Sequence, residues 1–168
     1  PAGDEQITIY EAFQRAVPAG GIPLQVDIVV SNIATMKNIY DAQRGIPVTE
    51  KIITVTGEVA KPMLLKVPIG MSIAACIEAC GGSLVEDYRI ITGGPMMGKP
   101  CNEEEISTTY VTKTLGGLIV LPENHAIINR HNLSIKHILS RAASACIQCR
   151  MCTDLCPRYL NGHPLYPR

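Results

Sequence analysis

Four cysteines fall within eleven consecutive positions, Cys146, Cys149, Cys152 and Cys156, and Pro157 follows the last of them directly. The spacing is C-x2-C-x2-C-x3-C-P at every step, the run that holds cubane 4Fe–4S clusters in iron–sulfur proteins. Two residues between successive thiolates let a tight loop wrap three corners of one cubane while backbone N–H groups face the inorganic sulfides. Cys146, Cys149 and Cys152 are therefore assigned to one cluster. In two-cluster proteins with this run the fourth thiolate serves the neighbouring cluster, so Cys156 is assigned to a second. A structural zinc site is the rival, but zinc knuckles and ribbons normally separate two short ligand pairs by about a dozen residues or more. Two complete clusters need eight thiolates, and the sequence holds one such quartet.

The remaining cysteines do not extend that set. Cys76 and Cys80 stand four apart, on one face of a helix, where a small apolar side chain belongs to the core. Cys101 precedes an acidic run, Glu103, Glu104 and Glu105, and its role stays open. An odd total of seven cysteines, four of them crowded, suits metal thiolates in a reducing compartment better than disulfides, which places the chain in the cytoplasm. His125, His131, His137 and His163 share no helical spacing and are not nominated as ligands, and Arg130, Lys136, Arg141 and Arg150 read as solvated charges. Gly93-Gly94-Pro95-Met96-Met97-Gly98-Lys99 has the spacing of a phosphate loop, but Pro100 occupies the magnesium-binding position and Pro95 lacks a donor, so it is no phosphate cradle. It reads as a turn whose two methionines fill a gap, or as a methionine surface for a cofactor or partner.

Composition narrows the function classes. Lys plus Arg equals Asp plus Glu at 15 each, so no net charge recruits nucleic acid. With one Phe and no Trp, the chain has few stacking platforms for bases, and methionine is expected among the residues that line the core. No apolar run approaches the roughly 20 residues of a membrane helix, and no secretory leader pattern opens the sequence. The 168 residues allow one moderate core or two small ones. The first residue is Pro1 and the last Arg168, which reads as a piece of something longer.

The cysteine run needs elements to present it. Thr8 and Glu11 have capping-box spacing, and Ile9, Phe13, Ala16 and Val17 recur at helical intervals before Pro18. Val26, Ile28, Val29 and Val30 predict a buried strand. A helix along Ile33, Met36 and Tyr40 follows, capped by Ser31, Asn32 or Thr35 and ended by Gly45 and Pro47. From Lys51 the period becomes two, with Ile53, Val55, Gly57 and Val59 on one face; Leu65 and Val67 return after the Ala60-Lys61-Pro62 turn. A helix with Ile73, Cys76, Ile77 and Cys80 on one face ends at Gly81, and a strand runs through Ile90, Ile91 and Thr92. Hairpin, helix, strand in that order is a β-grasp, giving an α+β fold class. Glu103–Glu105 reads as an acidic loop, and Tyr110 to Thr114 with Leu118 to Leu121 as two short strands or a hairpin around Gly116-Gly117. A last helix through Ile135, Ile138, Leu139, Ala142 and Ala143, started by Asn132 or Ser134, delivers the chain to Cys146.

The quartet with Arg158-Tyr159-Leu160-Asn161-Gly162-His163-Pro164, the Gly93 to Gly98 loop and Val55-Thr56-Gly57-Glu58-Val59 together resemble the RnfC family of electron-transport proteins. Within it the likeness is greatest to the branch of cobalamin reductases from propanediol-utilising microcompartments. The stretch from Asp27 to Thr35 is similar to the end of the flavin-binding domain of that family and of the NADH-oxidising component of respiratory complex I. The resemblance implies four regions: residues 1–49 as the C-terminal part of a flavin- and NADH-binding α/β domain, 50–102 as a soluble-ligand-binding β-grasp (SLBB) domain, 103–145 as connecting strands and helix, and 146–168 as the first half of a 4Fe–4S ferredoxin-type domain. It implies electron flow from NADH through FMN and two 4Fe–4S clusters to an acceptor, which is cobalamin in one branch and an ion-translocating membrane complex in the other. The implied partners are a corrinoid enzyme or redox protein, a microcompartment shell or a complex at the inner face of the membrane. Asn32 stands where the complex I relatives place an asparagine near the flavin, and is equally suited to cap a helix. Residues 1–168 hold neither a glycine-rich flavin loop nor a second quartet, so this stretch alone is not expected to oxidise NADH. An SLBB module that binds a ligand or partner without a redox role is the competing expectation.

Overall fold

The period-two stretch after Thr49 forms β1 (Glu50–Gly57), which pairs antiparallel with β2 (Met63–Pro68), Ile53 opposite Leu65 and Lys51 opposite Val67. The computed structural model describes residues 4–167; residues 1–3 and Arg168 fall outside the described residues. After β2 come α3 (Ile73–Ala79), β3 (Tyr88–Thr92), β4 (Lys99–Cys101), α4 (Glu103–Thr108) and β5 (Gly117–Pro122). The sheet order is β2-β1-β5-β3-β4, with β5 parallel to β1 and antiparallel to β3. One helix lies over a mixed five-stranded sheet, so the α+β class and the β-grasp hold.

Alternation decides the core. Ile53, Val55, Val59 and Val67 from the hairpin meet Ile73, Cys76, Ile77 and Cys80 from α3, with Ile90, Leu118 and Val120 from the inner strands. The Ser72 hydroxyl accepts from the Ala75 N–H and caps α3, and Gly81 leaves it at φ +86°. The core is aliphatic and thiol-lined; Met71 is the one methionine packed at its border among the described residues. This corrects the expected methionine lining: long flexible side chains specify packing less well than the β-branched residues that fill this sheet. Met96 and Met97 are 92% and 91% exposed, so they fill no gap, and their loop is closed instead by Gly98, whose N–H donates to the Gly94 carbonyl at 2.7 Å.

Gly57 shows why the hairpin ends where it does. Its φ is +94°, and a Cβ there would stand 2.0 Å from the Val120 carbonyl oxygen. The bare backbone lets β5 close against the end of β1, and Val120 then accepts the Glu58 N–H at 2.9 Å. Pro100 is tolerated in β4 because that strand is the sheet edge, where a missing donor breaks no ladder.

Several local expectations change. The acidic run is not a loop: Glu103–Thr108 forms α4, started where the Glu105 carboxylate accepts the Asn102 N–H at 2.9 Å. Tyr110 to Thr114 and Leu118 to Leu121 do not pair with each other. Tyr110 bridges Ser72, while the second stretch becomes β5, taken up by β1 and β3 on either side. A further short helix, α5 (Ala126–His131), stands where the sequence pattern signals none.

The chain divides into two compact units, Asn38–Ile138 and a second formed by Pro1–Lys37 with Leu139–Arg168. In the second, α1 (Glu5–Phe13) starts ahead of Thr8: Asp4 is the cap, its Oδ1 accepting from Gln6 and Ile7. Gln14 turns left-handed after Phe13, so Ala16 and Val17 lie past the helix, although Val17 is buried. The expected strand at Val26–Val30 is absent: Pro23–Val26 is a 3-10 turn, Asp27 is left-handed at φ 59°, and Val29 is 72% exposed. A β-branched run becomes a strand only beside a strand that takes up its N–H and C=O groups. Helix α2 (Ile33–Gln43) forms as expected, and so does α6 (Ile135–Ala145), in which Ser134 Oγ accepts from His137 N–H.

Ile77 is 3% exposed at the centre of the α3–sheet contact. Replacing it with Ala is expected to destabilise the Asn38–Ile138 unit by about 2–5 kcal/mol in urea unfolding. Gly57→Ala is expected to cost at least about 2 kcal/mol, because it combines a left-handed backbone strain with a direct backbone clash.

Candidate metal centre

Helix α6 ends at Ala145 and hands the chain straight to Cys146. Residues 146–150 then run without regular structure, and two non-glycine residues in this short span take left-handed conformations, Gln148 at φ 57° and Arg150 at φ 64°. Each left-handed non-glycine residue costs about 1–2 kcal/mol and persists only where the loop needs its turn. A left-handed residue next to a right-handed one turns successive N–H groups to one side, the concave amide arrangement that suits anionic iron–sulfur groups. Helix α7 (Met151–Asp154) carries Cys152, and α8 (Pro157–Leu160) starts at the proline.

Pro157 therefore does more than end a loop. It occupies the first helical position, where its missing N–H is no loss, and Cys156 before it is the extended cap residue at φ −65°, ψ 119°. The chain changes direction at Cys156, between two one-turn helices. Cys146, Cys149 and Cys152 are exposed and Cys156 is half-buried. Among the described residues no three His, Cys, Asp or Glu side chains converge as a ready-made metal cage. Four thiols on a solvent-facing loop fit a group that gathers its own ligands, since a thiolate site forms together with the metal that it binds. Ile147, Met151 and Leu155, which alternate with the thiols, are exposed apolar side chains suited to shield such a group from water. Beside Cys152, the Thr153 hydroxyl is buried and has no hydrogen-bond partner.

One tie to this loop has no local sequence signal. The Arg158 guanidinium, two residues after Cys156, donates to Asp4 Oδ2 at 2.8 Å and to the Gln6 side-chain oxygen. Asp4 thus caps α1 with one oxygen and holds α8 with the other. Arg150 pairs only loosely, at 3.9 Å, with Asp154, in keeping with a solvated charge.

The other cysteines lie elsewhere. Cys76 and Cys80 are fully buried under the sheet, and Cys101, open in the sequence, is buried in β4. Burial pushes the Cys76 thiol up from its ordinary value of 9.0, and Cys80 beside it adds to the shift. Burial likewise raises Cys80 and Cys101. These are neutral packing groups. Asn32 Oδ1 accepts the Ala34 N–H at 2.9 Å and caps α2. No His from the sequence joins the cysteine loop as a ligand set among the described residues. The β-grasp unit also has a cleft of about 290 Å³ whose lining includes Ala74, Ile106, Glu86, Asp87, Arg89 and Glu123.

Comparison with known proteins bears on both halves of this arrangement. Residues 52–100 match the SLBB domain, and residues 145–168 match a 4Fe-4S dicluster domain. The chain carries an SLBB domain and a 4Fe–4S motif. It is 48% identical over 168 residues to the cobalamin reductase PduS of Citrobacter freundii and 46% identical to that of Salmonella typhimurium strain LT2, in each case over 99% of this chain and 37% of the relative. The RnfC-type component of the proton-translocating ferredoxin:NAD(+) oxidoreductase complex of Clostridium ljungdahlii is 34% identical over 163 residues, 96% of this chain and 32% of that protein. The chain thus spans little more than a third of the curated relatives that it matches. The resemblance to the RnfC family and its cobalamin-reductase branch is borne out, and the 4Fe-4S dicluster match over residues 145–168 supports the iron–sulfur reading of the cysteine run. No helix among the described residues is long and apolar enough to cross a membrane.

Thiol mapping checks this division of the SLBB domain from the iron–sulfur loop. In cluster-free native protein near neutral pH, iodoacetamide is expected to label Cys146, Cys149 and Cys152 first, while Cys76, Cys80 and Cys101 stay unlabelled until unfolding. The raised thiols favour the fold while protonated, so their contribution is full below about pH 9 and is lost as pH rises through their elevated values. Unfolding midpoints measured from about pH 8 to 11 are expected to fall across that window. Arg158→Ala is expected to lower the stability of the other unit by about 1–2 kcal/mol, since its partners are only partly buried.

Proposed function

We propose that this chain is the SLBB and first-cluster section of an NADH-linked iron–sulfur flavoprotein that passes electrons to cobalamin. The observation that carries the proposal is the four-cysteine run on an exposed loop, within a region 48% identical to a cobalamin reductase. In this proposal Cys146, Cys149 and Cys152 hold the first 4Fe–4S cluster, and Cys156, turned away at the start of α8, reaches a second whose other ligands come from a second motif. When bound, such clusters store and relay single electrons. The residues of this chain fix the ligand spacing, shield the loop with Ile147, Met151 and Leu155, and anchor it through Arg158.

FMN and NADH belong to the α/β domain of which residues 1–49 form the C-terminal part. Asn32 lies on its flavin side while its Oδ1 caps α2. The protein works in the cytoplasm, within a bacterial microcompartment or against the inner face of the membrane, with a corrinoid enzyme or redox protein as partner. The Rnf branch, at 34% identity, supports a second outcome in which the acceptor is an ion-translocating complex.

The full-length protein, purified anaerobically, is expected to reduce cob(III)alamin or cob(II)alamin with NADH; ferredoxin reduction without corrinoid reduction would move it to the Rnf branch. By EPR of the reduced protein, Ser at Cys146, Cys149 or Cys152 is expected to remove or convert the same cluster signal. Cys156→Ser is expected to perturb a different one, and Cys76→Ser to leave both intact. A single uncoupled signal that vanishes in Cys156→Ser would place all four thiolates on one cubane.

A further inference from the structure

Every residue of α6 is exposed among the described residues, although the helix is amphipathic. Ile135, Ile138, Leu139 and Ala142 recur at i, i+3, i+4 and i+7, the spacing of a core-facing stripe. Ile135 and Leu139 are nevertheless 77% and 63% exposed. Helices shorter than roughly 12–15 residues are marginal in water without a packed face, and α6 has 11 residues. The Ser134 hydroxyl accepts the His137 N–H at 3.3 Å and caps its start, but no side of the helix is covered. At about 3.6 residues per turn, Lys136 borders the stripe on one side and Arg141 on the other. Neither cation pairs with a carboxylate among the described residues, and α6 holds no Asp or Glu of its own. The complement of such a face is an apolar stripe rimmed by carboxylates.

Three observations select the occupant. The helix runs without a break into Cys146, so its last turn adjoins the cysteine loop. Residues 145–168 match a 4Fe-4S dicluster domain, of which this chain supplies one quartet. The chain spans 37% of each cobalamin reductase that it matches, which leaves most of such a protein outside residues 1–168.

We propose that the Ile135, Ile138, Leu139 and Ala142 stripe of α6 is the seat for the section of the full-length protein that carries the second cysteine motif, docked through an apolar helix edged with Asp or Glu. The inference rests on the two-cluster reading above: Cys156 and the second motif share a cluster, so the section that brings that motif is held beside the loop into which α6 leads. Apolar burial supplies the attraction, and Lys136 and Arg141 set the register by pairing with the carboxylate rims.

The test compares hydrogen–deuterium exchange of α6 in the full-length protein and in this chain alone, with zero-length carbodiimide cross-linking from Lys136 in the full-length protein. There the α6 amides are expected to exchange slower than in the chain alone by a factor on the order of 100. Cross-links from Lys136 are expected to land on Asp or Glu in the section that bears the second quartet. Leu139→Lys is expected to restore fast exchange of α6 in the full-length protein and Leu139→Ala to restore part of it. Both are expected to leave urea unfolding of this chain alone unchanged, since Leu139 touches no core there. Equal exchange in the two proteins, no cross-link from Lys136, or cross-links confined to the flavin section would each overturn the inference. So would protection that appears only with phosphatidylglycerol vesicles and survives Leu139→Lys, or protection that grows with protein concentration, the mark of a second copy. The two-cluster reading fails separately, through a Cys156→Ser protein that keeps every EPR signal unaltered.

Discussion

The five-stranded sheet of the Asn38–Ile138 unit depends on its last strand, which lies beyond the SLBB match. β5 enters between β1 and β3 and joins a hairpin to the far half of the sheet; without it β2-β1 and β3-β4 are two separate ribbons. Two-stranded ribbons are marginal alone, and a sheet of three or more strands with a covered face is not. The insertion is possible because Gly57 brings no Cβ to the point where the Val120 carbonyl approaches. Leu118 and Val120 then complete the floor on which α3 rests, and the three buried thiols take small core sites rather than ligand positions.

The iron–sulfur loop is held by different means. Its local fold is two one-turn helices and two left-handed residues, which bury little apolar surface; among residues 146–160 Thr153 alone is fully buried. Fixed charge supplies what the missing core does not: the Arg158 guanidinium reaches the end of α1, where Asp4 is already committed to the helix cap. A metal site organised by its own ligands needs such a peripheral anchor less for stability than for aim, because it decides where the half-buried Cys156 side of the loop points.

Periodicity made the SLBB core legible. Ile53, Val55, Ile73, Cys76 and Ile77 follow from strong alternation and a clear helical face, and the cysteine run from its spacing alone. What sequence pattern does not carry is the identity of a distant neighbour. The stretch at 118–121 reads as a strand, but nothing local says that it lies parallel to β1. Val26 with Ile28–Val30 reads as a strand because β-branched side chains prefer one, yet no strand pairs with it among the described residues. Met96 and Met97 have the composition of core residues and stand on a tight exposed turn. Arg158 and Asp4 are ordinary surface charges until the fold brings positions 154 apart within hydrogen-bond distance.

That separation has a consequence for synthesis. One unit is assembled from both ends of the described chain, while the SLBB unit between them is continuous and has every strand of its sheet once Pro122 has emerged. At ~5–20 residues per second, α1 waits roughly 8–30 s after leaving the ribosome before Arg158 exists. Throughout that interval the cap at Asp4 has no guanidinium partner, while the Asn38–Ile138 unit already has every strand of its sheet. Among the described residues, vectorial synthesis therefore completes the continuous unit before the cysteine loop gains its Arg158 anchor. Metal loading on a nascent chain would meet a loop that has not yet been oriented.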